Sequence, residues 1–303
     1  MSLYQKHRPQ TLADVQGNRN IVTTLKGLFA TPEKMPHTFL FHGPTGCGKT
    51  TIARIVAENL GCAENNLVEI DTGQFTGIDT VRDIRKSAQY IPLGGGVRVF
   101  IIDEVHRMTK DAQNAFLKIL EDTPPHIYFI LCTTNEKSLL PTIRGRCSQF
   151  QVELLTDGQM SSLIAGIAEK ENETIVDDVA SAIVKSAEGH PRNALTILEQ
   201  VFATPERRRI KVAEQAQILE AEGKELCQAL LQQKGWGVTK NILKGLQEQD
   251  PEGLRRMVLG YMKAVLLNTD SEQAGYIMEC FIEPFYNTGF PGLVYASYQV
   301  IKN

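Results

Sequence analysis

Residues 41–51, FHGPTGCGKTT, hold the clearest chemistry in the sequence. Gly43, Gly48, Lys49 and Thr50 fit the pattern GxxxxGK[ST], with an apolar run before it and a helical pattern after it. Glycines at these positions let backbone N–H groups turn toward a polyphosphate, and the following helix adds its positive N-terminal end. The pattern makes Gly43, Pro44, Thr45, Gly46, Cys47, Gly48, Lys49, Thr50 and Thr51 nucleotide-binding candidates. Lys49 is expected to reach the β- and γ-phosphates and the Thr50 hydroxyl to bind Mg2+. A chance glycine-rich turn is the competing explanation, and it does not account for the strand–loop–helix context.

A second chemical pair closes the apolar run VFIIDE (99–104). A carboxylate at Asp103 can hold the metal, and Glu104 can polarise an attacking water. Two acids that merely end a strand would explain the pair if it stood alone; beside a phosphate loop, hydrolysis is the better explanation. No NKxD sequence is present to read guanine, so ATP is the expected nucleotide.

These residues need elements to position them. The first half alternates short β-branched runs with helical patterns, the signature of a parallel sheet with crossover helices. Strands are expected at 38–42, 67–71, 97–103, 127–134 and 148–154, and helices at 49–60, 78–90 and 109–122. After Leu155 the pattern is helical only. TDGQ (156–159) reads as a capping box, Gly189 as the C-cap of a helix over 176–188, and Pro191 as the first turn of a helix over 191–202. Residues 203–209 read as a connector, and the rest as a helical bundle broken at QKGWG, QDPEG and FPG. The expected organisation is an α/β nucleotide-binding core over 1–154, a three-helix lid over 155–203 and an all-helical collar over 204–303.

Composition narrows the class without naming a partner. The 303 residues suggest more than one domain, and a formal net charge of −3 leaves room only for a local basic path to nucleic acid. Six scattered cysteines without a CxxC pair give no zinc-ligand spacing and no disulfide framework. With no apolar run near membrane-spanning length and no apolar signal core in MSLYQKHRPQ, a cytoplasmic location without membrane attachment is expected.

Three longer stretches carry a family resemblance. YQKHRPQTLADVQGN, DEVHRMTKDAQNAFLKILEDTPPH and TIRGRCSQF resemble an AAA+ clamp-loader ATPase subunit. The likeness is to the gamma/tau motor subunit of bacterial polymerase III and then to replication factor C small subunits, over roughly residues 1–202. The resemblance implies that Tyr4, Arg8, Pro9, Val15 and Gly17 line an adenine pocket. It places Thr134 at the sensor-1 position and Arg192 at the sensor-2 position. It also makes Arg146 an arginine finger that reaches the ATP of a neighbouring subunit. Tyr4 and Val15 could equally be packing residues, and either arginine could be a solvated charge.

The sequence departs from the family in three ways. NLGCAENNLVEID joins the P-loop helix to the second strand directly, without the four-cysteine zinc module, so no zinc is expected. Gly145 stands where the family has a serine. No tau-type extension follows, which together implies a compact phage or archaeal-like variant working in the cytoplasm.

The resemblance also implies partners: a sliding clamp, primer–template DNA, and other loader subunits in a homo- or hetero-pentamer. Helix starts near Gly77 and Thr109 would take DNA phosphates, with Thr76, Arg82, Arg107 and Lys110 nearby, though each cation could be an ordinary surface charge. ERRR (206–209) could touch DNA but reads better as a solvated helix start. Tyr90, Ile91 and Pro92 would form an apolar tip for the clamp, and a buried helix end accounts for them equally well. The expected activity is DNA-dependent ATP hydrolysis that opens and places a ring clamp. A helicase loader or branch-migration motor is the alternative. An unfoldase is disfavoured because LGGGV (93–97) lacks a pore-loop aromatic, and a non-catalytic scaffold because every nucleotide-site element is present.

Overall fold

A computed structural model describes the chain except residues 73–76, 93–94, 248, 286–287 and 303 and the side chains of 215–222. The chain divides into two compact units, Met1–Arg209 and Ile210–Asn303.

The first unit contains, in order, α1 (Leu3–Lys6), α2 (Arg19–Ala30), β1 (Thr38–His42), α3 (Lys49–Asn59), β2 (Leu67–Asp71) and α4 (Ile78–Ala88). It continues with β3 (Arg98–Asp103), α5 (Lys110–Glu121), β4 (Ile127–Thr133), α6 (Pro141–Arg144), β5 (Ser148–Gln151), α7 (Asp157–Lys170), α8 (Asp177–Ala187) and α9 (Pro191–Phe202). The five strands form one parallel sheet in the order β2-β3-β4-β1-β5. The central strands read as unbroken apolar runs because both faces are covered. One face packs Phe39, Phe41 and Ile130 against α2 and α3, and the other packs Phe100, Phe129 and Leu131 against α4 and α5.

The structure trims several expected boundaries for visible reasons. β5 ends at Gln151 because Val152 makes one more backbone bond, to His42, and the Glu153 N–H then donates to the Asn18 side chain instead. Thr156 and Gln159 form the expected capping box, and Gly189 takes the left-handed conformation (φ 79°) that follows α8. Residues 206–209 are not a connector: α10 (Glu206–Leu231) begins directly after Pro205. Nor is Arg209 a solvated charge, for it pairs with Glu173 at 2.9 Å and donates to the carbonyls of Thr174 and Thr204. Helices α1 and α2 carried no sequence expectation.

The second unit is built from the later part of α10 with α11 (Trp236–Gly245), α12 (Pro251–Asn268), α13 (Glu272–Cys280) and α14 (Gly289–Lys302). Its core gathers Leu226, Leu230, Leu243, Val258, Ile277, Phe281 and Leu293. FPG is no break, because Pro291 lies in the first turn of α14, where the missing N–H had no helical partner to lose. No described helix is long and apolar enough to cross a membrane.

A buried ion pair fastens this unit. Asp250 caps α12 by accepting from the Glu252 and Gly253 N–H groups, and Glu252 in that first turn accepts from Arg255 at 2.6 and 2.9 Å. Arg255 also donates to the Phe281 and Ile282 carbonyls, while the Phe285 N–H donates to Glu252. The Arg255 hydrogen bonds, helped by the Phe285 N–H, hold the Glu252 carboxyl down at about 2 against an ordinary 4.5. A carboxyl depressed in the folded state stabilises fully above its unfolded value and loses that stabilisation as pH falls through its folded one. Glu252 should therefore cease to support the fold between about pH 4.5 and 2. Trp236, the single tryptophan, packs edge-on against Tyr298 and reports this unit. Unfolding followed by Trp236 emission should show wild type and Glu252→Gln far apart at neutral pH and converging across that window. A gap that stays constant from neutral pH to pH 2 would remove the pair from the acid response.

Candidate nucleotide site

The C-terminal ends of β1, β4 and β3 stand side by side, and the site is built on their three exits. The loop leaving β1 needs glycine at Gly43 (φ 151°): a Cβ there would lie 2.1 Å from the Val152 carbonyl oxygen where β5 passes. Gly46 and Gly48 also have positive φ, and the loop runs straight into α3. Lys49, almost wholly buried, donates from Nζ to the carbonyls of Gly43 at 3.0 Å and Pro44 at 2.7 Å. These bonds offset part of the cost of burying an ammonium and hold it over the loop. Burial pushes the Cys47 thiol up, which disfavours the nucleophilic thiolate form.

Across from the loop, the Thr50 hydroxyl donates to the Asp103 Oδ2 at 2.7 Å. Hydroxyl and carboxylate oxygens are the hard donors that Mg2+ takes, so the pair fits that ion. Asp103 Oδ1 accepts from the Glu104 N–H. Glu104 itself has a left-handed backbone (φ 50°), uncommon for a residue with a side chain. It is held there by Thr72, which follows β2 and is fully buried. The Thr72 hydroxyl lies 2.9 Å from the Asp103 carbonyl and 2.5 Å from that of Glu104. Thr134, one residue beyond β4, donates to Glu104 Oε2 at 3.0 Å.

One cleft gathers much of what the sequence singled out. Tyr4, Arg8, Pro9 and Val15 line it with Thr45 to Thr51, Asp103, Glu104 and Arg192. Arg192 stacks over the Tyr4 ring at 5.7 Å, and the neighbouring His190 ring nitrogen lies 2.9 Å from the Thr45 carbonyl oxygen. Gly17 is not in the lining. Its positive φ and the lack of room for a Cβ, 2.6 Å from Leu155, make it a close-packing position behind the pocket. Other wall residues carried no sequence signal, among them His7, Gln16, Asn18 and Leu163. His7 and Lys6 both bond Glu171 and hold its carboxyl below the usual range.

Arg146 is placed elsewhere. Its guanidinium bonds Glu121 at 2.6 Å and the Thr142 carbonyl at 3.0 Å, and it does not line the cleft. Of the candidate DNA contacts, Gly77 begins α4, Arg82 pairs with Asp79 at 2.7 Å, and the Thr109 hydroxyl caps α5 by accepting from the Ala112 N–H. Arg107 and Lys110 are exposed, and Thr76 lies outside the described residues. Of the apolar tip, Tyr90 and Ile91 are 68% and 70% exposed, but Pro92 is buried.

Solved structures share this fold. A Thermotoga maritima RuvB Holliday junction branch migration motor superposes with a TM-score of 0.61 at 22% identity, covering 74% of this chain and 79% of that one. At that identity the likeness establishes the fold alone: a parallel α/β domain followed by helical elements. Sequence relatives are more specific. A family model described as DNA polymerase III, delta subunit, matches residues 66–156. DNA polymerase III subunit gamma/tau of Mycobacterium tuberculosis is 35% identical over 226 residues, 67% of this chain and 39% of that protein. Subunit tau of Escherichia coli is 33% identical over 223 residues, 67% of this chain and 34% of that protein. Subunit gamma of Buchnera aphidicola is 34% identical over 222 residues, 66% of this chain and 60% of that protein. The chain is thus similar to gamma and tau subunits of DNA polymerase III, and it spans well under half the length of the first two of these relatives.

Thr72 is the support that no motif announced. Thr72→Val keeps the volume and removes the hydroxyl from two buried carbonyls, a loss of about 1–3 kcal/mol. Guanidinium unfolding followed by circular dichroism should show that loss, with turnover lowered more than nucleotide affinity. Wild-type stability and turnover together would show that Glu104 holds its backbone without Thr72.

Proposed function

We propose that this chain is an ATP-driven motor subunit of a DNA sliding-clamp loader, acting in the cytoplasm to open a ring clamp and place it on primer–template DNA. The observation that carries the proposal is the convergence of Lys49, Thr50, Asp103, Glu104, Thr134 and Arg192 on one cleft, in a chain whose sequence relatives are gamma/tau subunits. Thr134 reaches the cleft through its bond to Glu104.

In this reading the P-loop amides, Lys49 and Arg192 bind the phosphates, and Thr50 and Asp103 hold Mg2+, which supplies charge neutralisation at the phosphates. Tyr4, Arg8, Pro9 and Val15 enclose the base. Glu104 orients and deprotonates the attacking water, and Thr134 steadies the carboxylate that does so. On this reading DNA phosphates meet the helix starts at Gly77 and Thr109, with Arg82, Arg107 and Lys110 as the nearby cations, and the affinity is structural and salt-dependent and not base-selective. Tyr90 and Ile91 supply the apolar contact for the clamp.

Arg146 serves a neighbouring subunit, because its own nucleotide cleft does not include it. It follows α6 and precedes β5, the edge strand of the sheet, where a second subunit can approach. Its pairing with Glu121 is half-exposed and worth only about 0–1 kcal/mol, so exchanging that carboxylate for a phosphate costs little. An arginine supplied in this way contributes about 10³-fold or more to phosphoryl transfer. A finger supplied in trans makes every site depend on assembly into a ring of loader subunits.

ATP turnover of the purified protein, with and without primed DNA and candidate clamps, tests the function. Stimulation by primed DNA together with a clamp is expected, and stimulation by four-way junctions alone would favour a branch-migration motor. Glu104→Gln should still bind Mg-ATP while turnover falls about 10²–10⁴-fold. Arg146→Ala and Lys49→Ala should each be inactive alone and regain part of the activity when mixed, since one retains a sound pocket and the other a sound finger. Mixed assemblies that form without regaining activity would mean that Arg146 does not act in trans.

A further inference from the structure

We infer that His106 is a positioning residue for Glu104, fixing which carboxylate oxygen is available to the attacking water. The inference rests on the reading of Glu104 as the water-activating acid. His106 lies in the one-turn 3₁₀ segment Val105–Arg107 that follows the acid pair. Val105 is fully buried and anchors the segment, and the Arg107 N–H donates back to the Glu104 carbonyl at 2.8 Å. The turn thereby swings the His106 ring back toward the end of β4.

There Nδ1 of His106 lies 3.2 Å from Glu104 Oε2 and 3.0 Å from the Thr133 hydroxyl oxygen. The contact with Thr133 has hydrogen-bond geometry, and the contact with Glu104 is an electrostatic one; a carboxylate oxygen can only accept, so a proton on Nδ1 suits both neighbours. Thr133 is fully buried and its hydroxyl also accepts from the Asn135 N–H at 3.0 Å, so it is a fixed post. Thr134 donates to the same Glu104 Oε2 from the other side. The Thr134 hydroxyl and the Nδ1 side of the His106 ring both approach Oε2, which leaves Oε1 as the oxygen that takes the proton from water. A general base contributes only when held within hydrogen-bond reach of that proton. The Thr134 bond alone would leave the carboxylate free to rotate about its last bond, and a ring nitrogen held beside the same oxygen opposes that rotation. A core histidine retained for packing alone would not need Nδ1 between two oxygens.

The test compares kcat and nucleotide affinity for wild type, Glu104→Gln, His106→Phe, His106→Asn and the double variant Glu104→Gln/His106→Phe. His106→Phe keeps the ring and loses the donor; its kcat should fall about tenfold or more, within the about 10²–10⁴-fold that a general base supplies, with affinity unchanged. His106→Asn, whose amide nitrogen can occupy the place of Nδ1, should recover most of that loss. In the Glu104→Gln background His106→Phe should cost nothing further, since residues acting as one unit are not additive. Thr133→Val, isosteric within the sheet, gives a second reading should His106→Phe fail to fold: kcat should fall while affinity holds. Wild-type kcat in His106→Phe beside an inactive Glu104→Gln overturns the inference while leaving the acid in place. So does an Asn variant as poor as Phe, or an equal further loss in the double variant. Wild-type turnover by Glu104→Gln would instead overturn the role of the acid, and this inference with it.

Discussion

The nucleotide site depends on the insertion of β4 between β1 and β3. Neighbouring strands in a sheet are about 4.8 Å apart, so the exits of β1 and β3 stand about 10 Å from each other with the end of β4 midway. In register, His42 of β1 meets Thr133 of β4, and Leu131 of β4 meets Ile102 of β3. Groups leaving the three strands at nearly one level have no choice but to face one another. The first turn of α3 closes the remaining distance, bringing Thr50 to Asp103 although 53 positions separate them. The apolar faces of the same strands fix that register, because a slip of one residue would turn Phe39, Phe129 and their neighbours from one packed face to the other.

That geometry has a backbone cost. Gly43, Gly46 and Gly48 take positive φ without a Cβ to object, but Glu104 takes it with a full side chain, at about 1–3 kcal/mol. The surroundings must over-determine such a residue for it to persist. Here Thr72 contributes an N–H and a hydroxyl to the carbonyls of Asp103 and Glu104, and the Asp103 side chain accepts from the Glu104 amide. The strain turns the carboxylate away from the strand direction and toward the exit of β4, where Thr134 and His106 receive it. A relaxed extended residue would continue the line of β3 and point past the loop.

Much of the fold was legible in sequence because its signals are local. An apolar strand bounded by GxxxxGKT, Thr156 with Gln159 three residues on, and Gly189 before Pro191 each carry their own mechanism over a few residues. The order of the strands is not local, and nothing in the periodicity of β4 says that it lies between β1 and β3. Thr72 and His106 were missed for the same reason: each is a single polar residue past the end of a strand, and each has a partner on another strand, Asp103 for Thr72 and Thr133 for His106. Gly17 was read as part of a pocket wall because its neighbours in sequence are, whereas its glycine answers to Leu155, far along the chain. The helix start at ERRR was legible, but Arg209 was read as solvated because three consecutive arginines look so, and only the fold brings Glu173 to it.

Two arginine–carboxylate pairs of the same chemistry illustrate how burial assigns a task. Arg255 and Glu252 are buried, three residues apart on one helix, and each is bonded again to backbone beyond α13. Losing one partner would strand the other charge in apolar surroundings, so the pair cannot be exchanged for anything that arrives from solution. Arg146 and Glu121 are half-exposed and joined across 25 residues, and water can solvate each if they part. In the proposed role, a guanidinium that leaves its partner for the phosphate of a neighbouring subunit must be held lightly, yet kept extended and oriented beforehand. An exposed carboxylate does that, because it fixes the direction of the fork at a cost small beside the gain from an incoming phosphate. The buried pair therefore suits a fixed element of the fold, and the exposed pair suits a contact that can be exchanged.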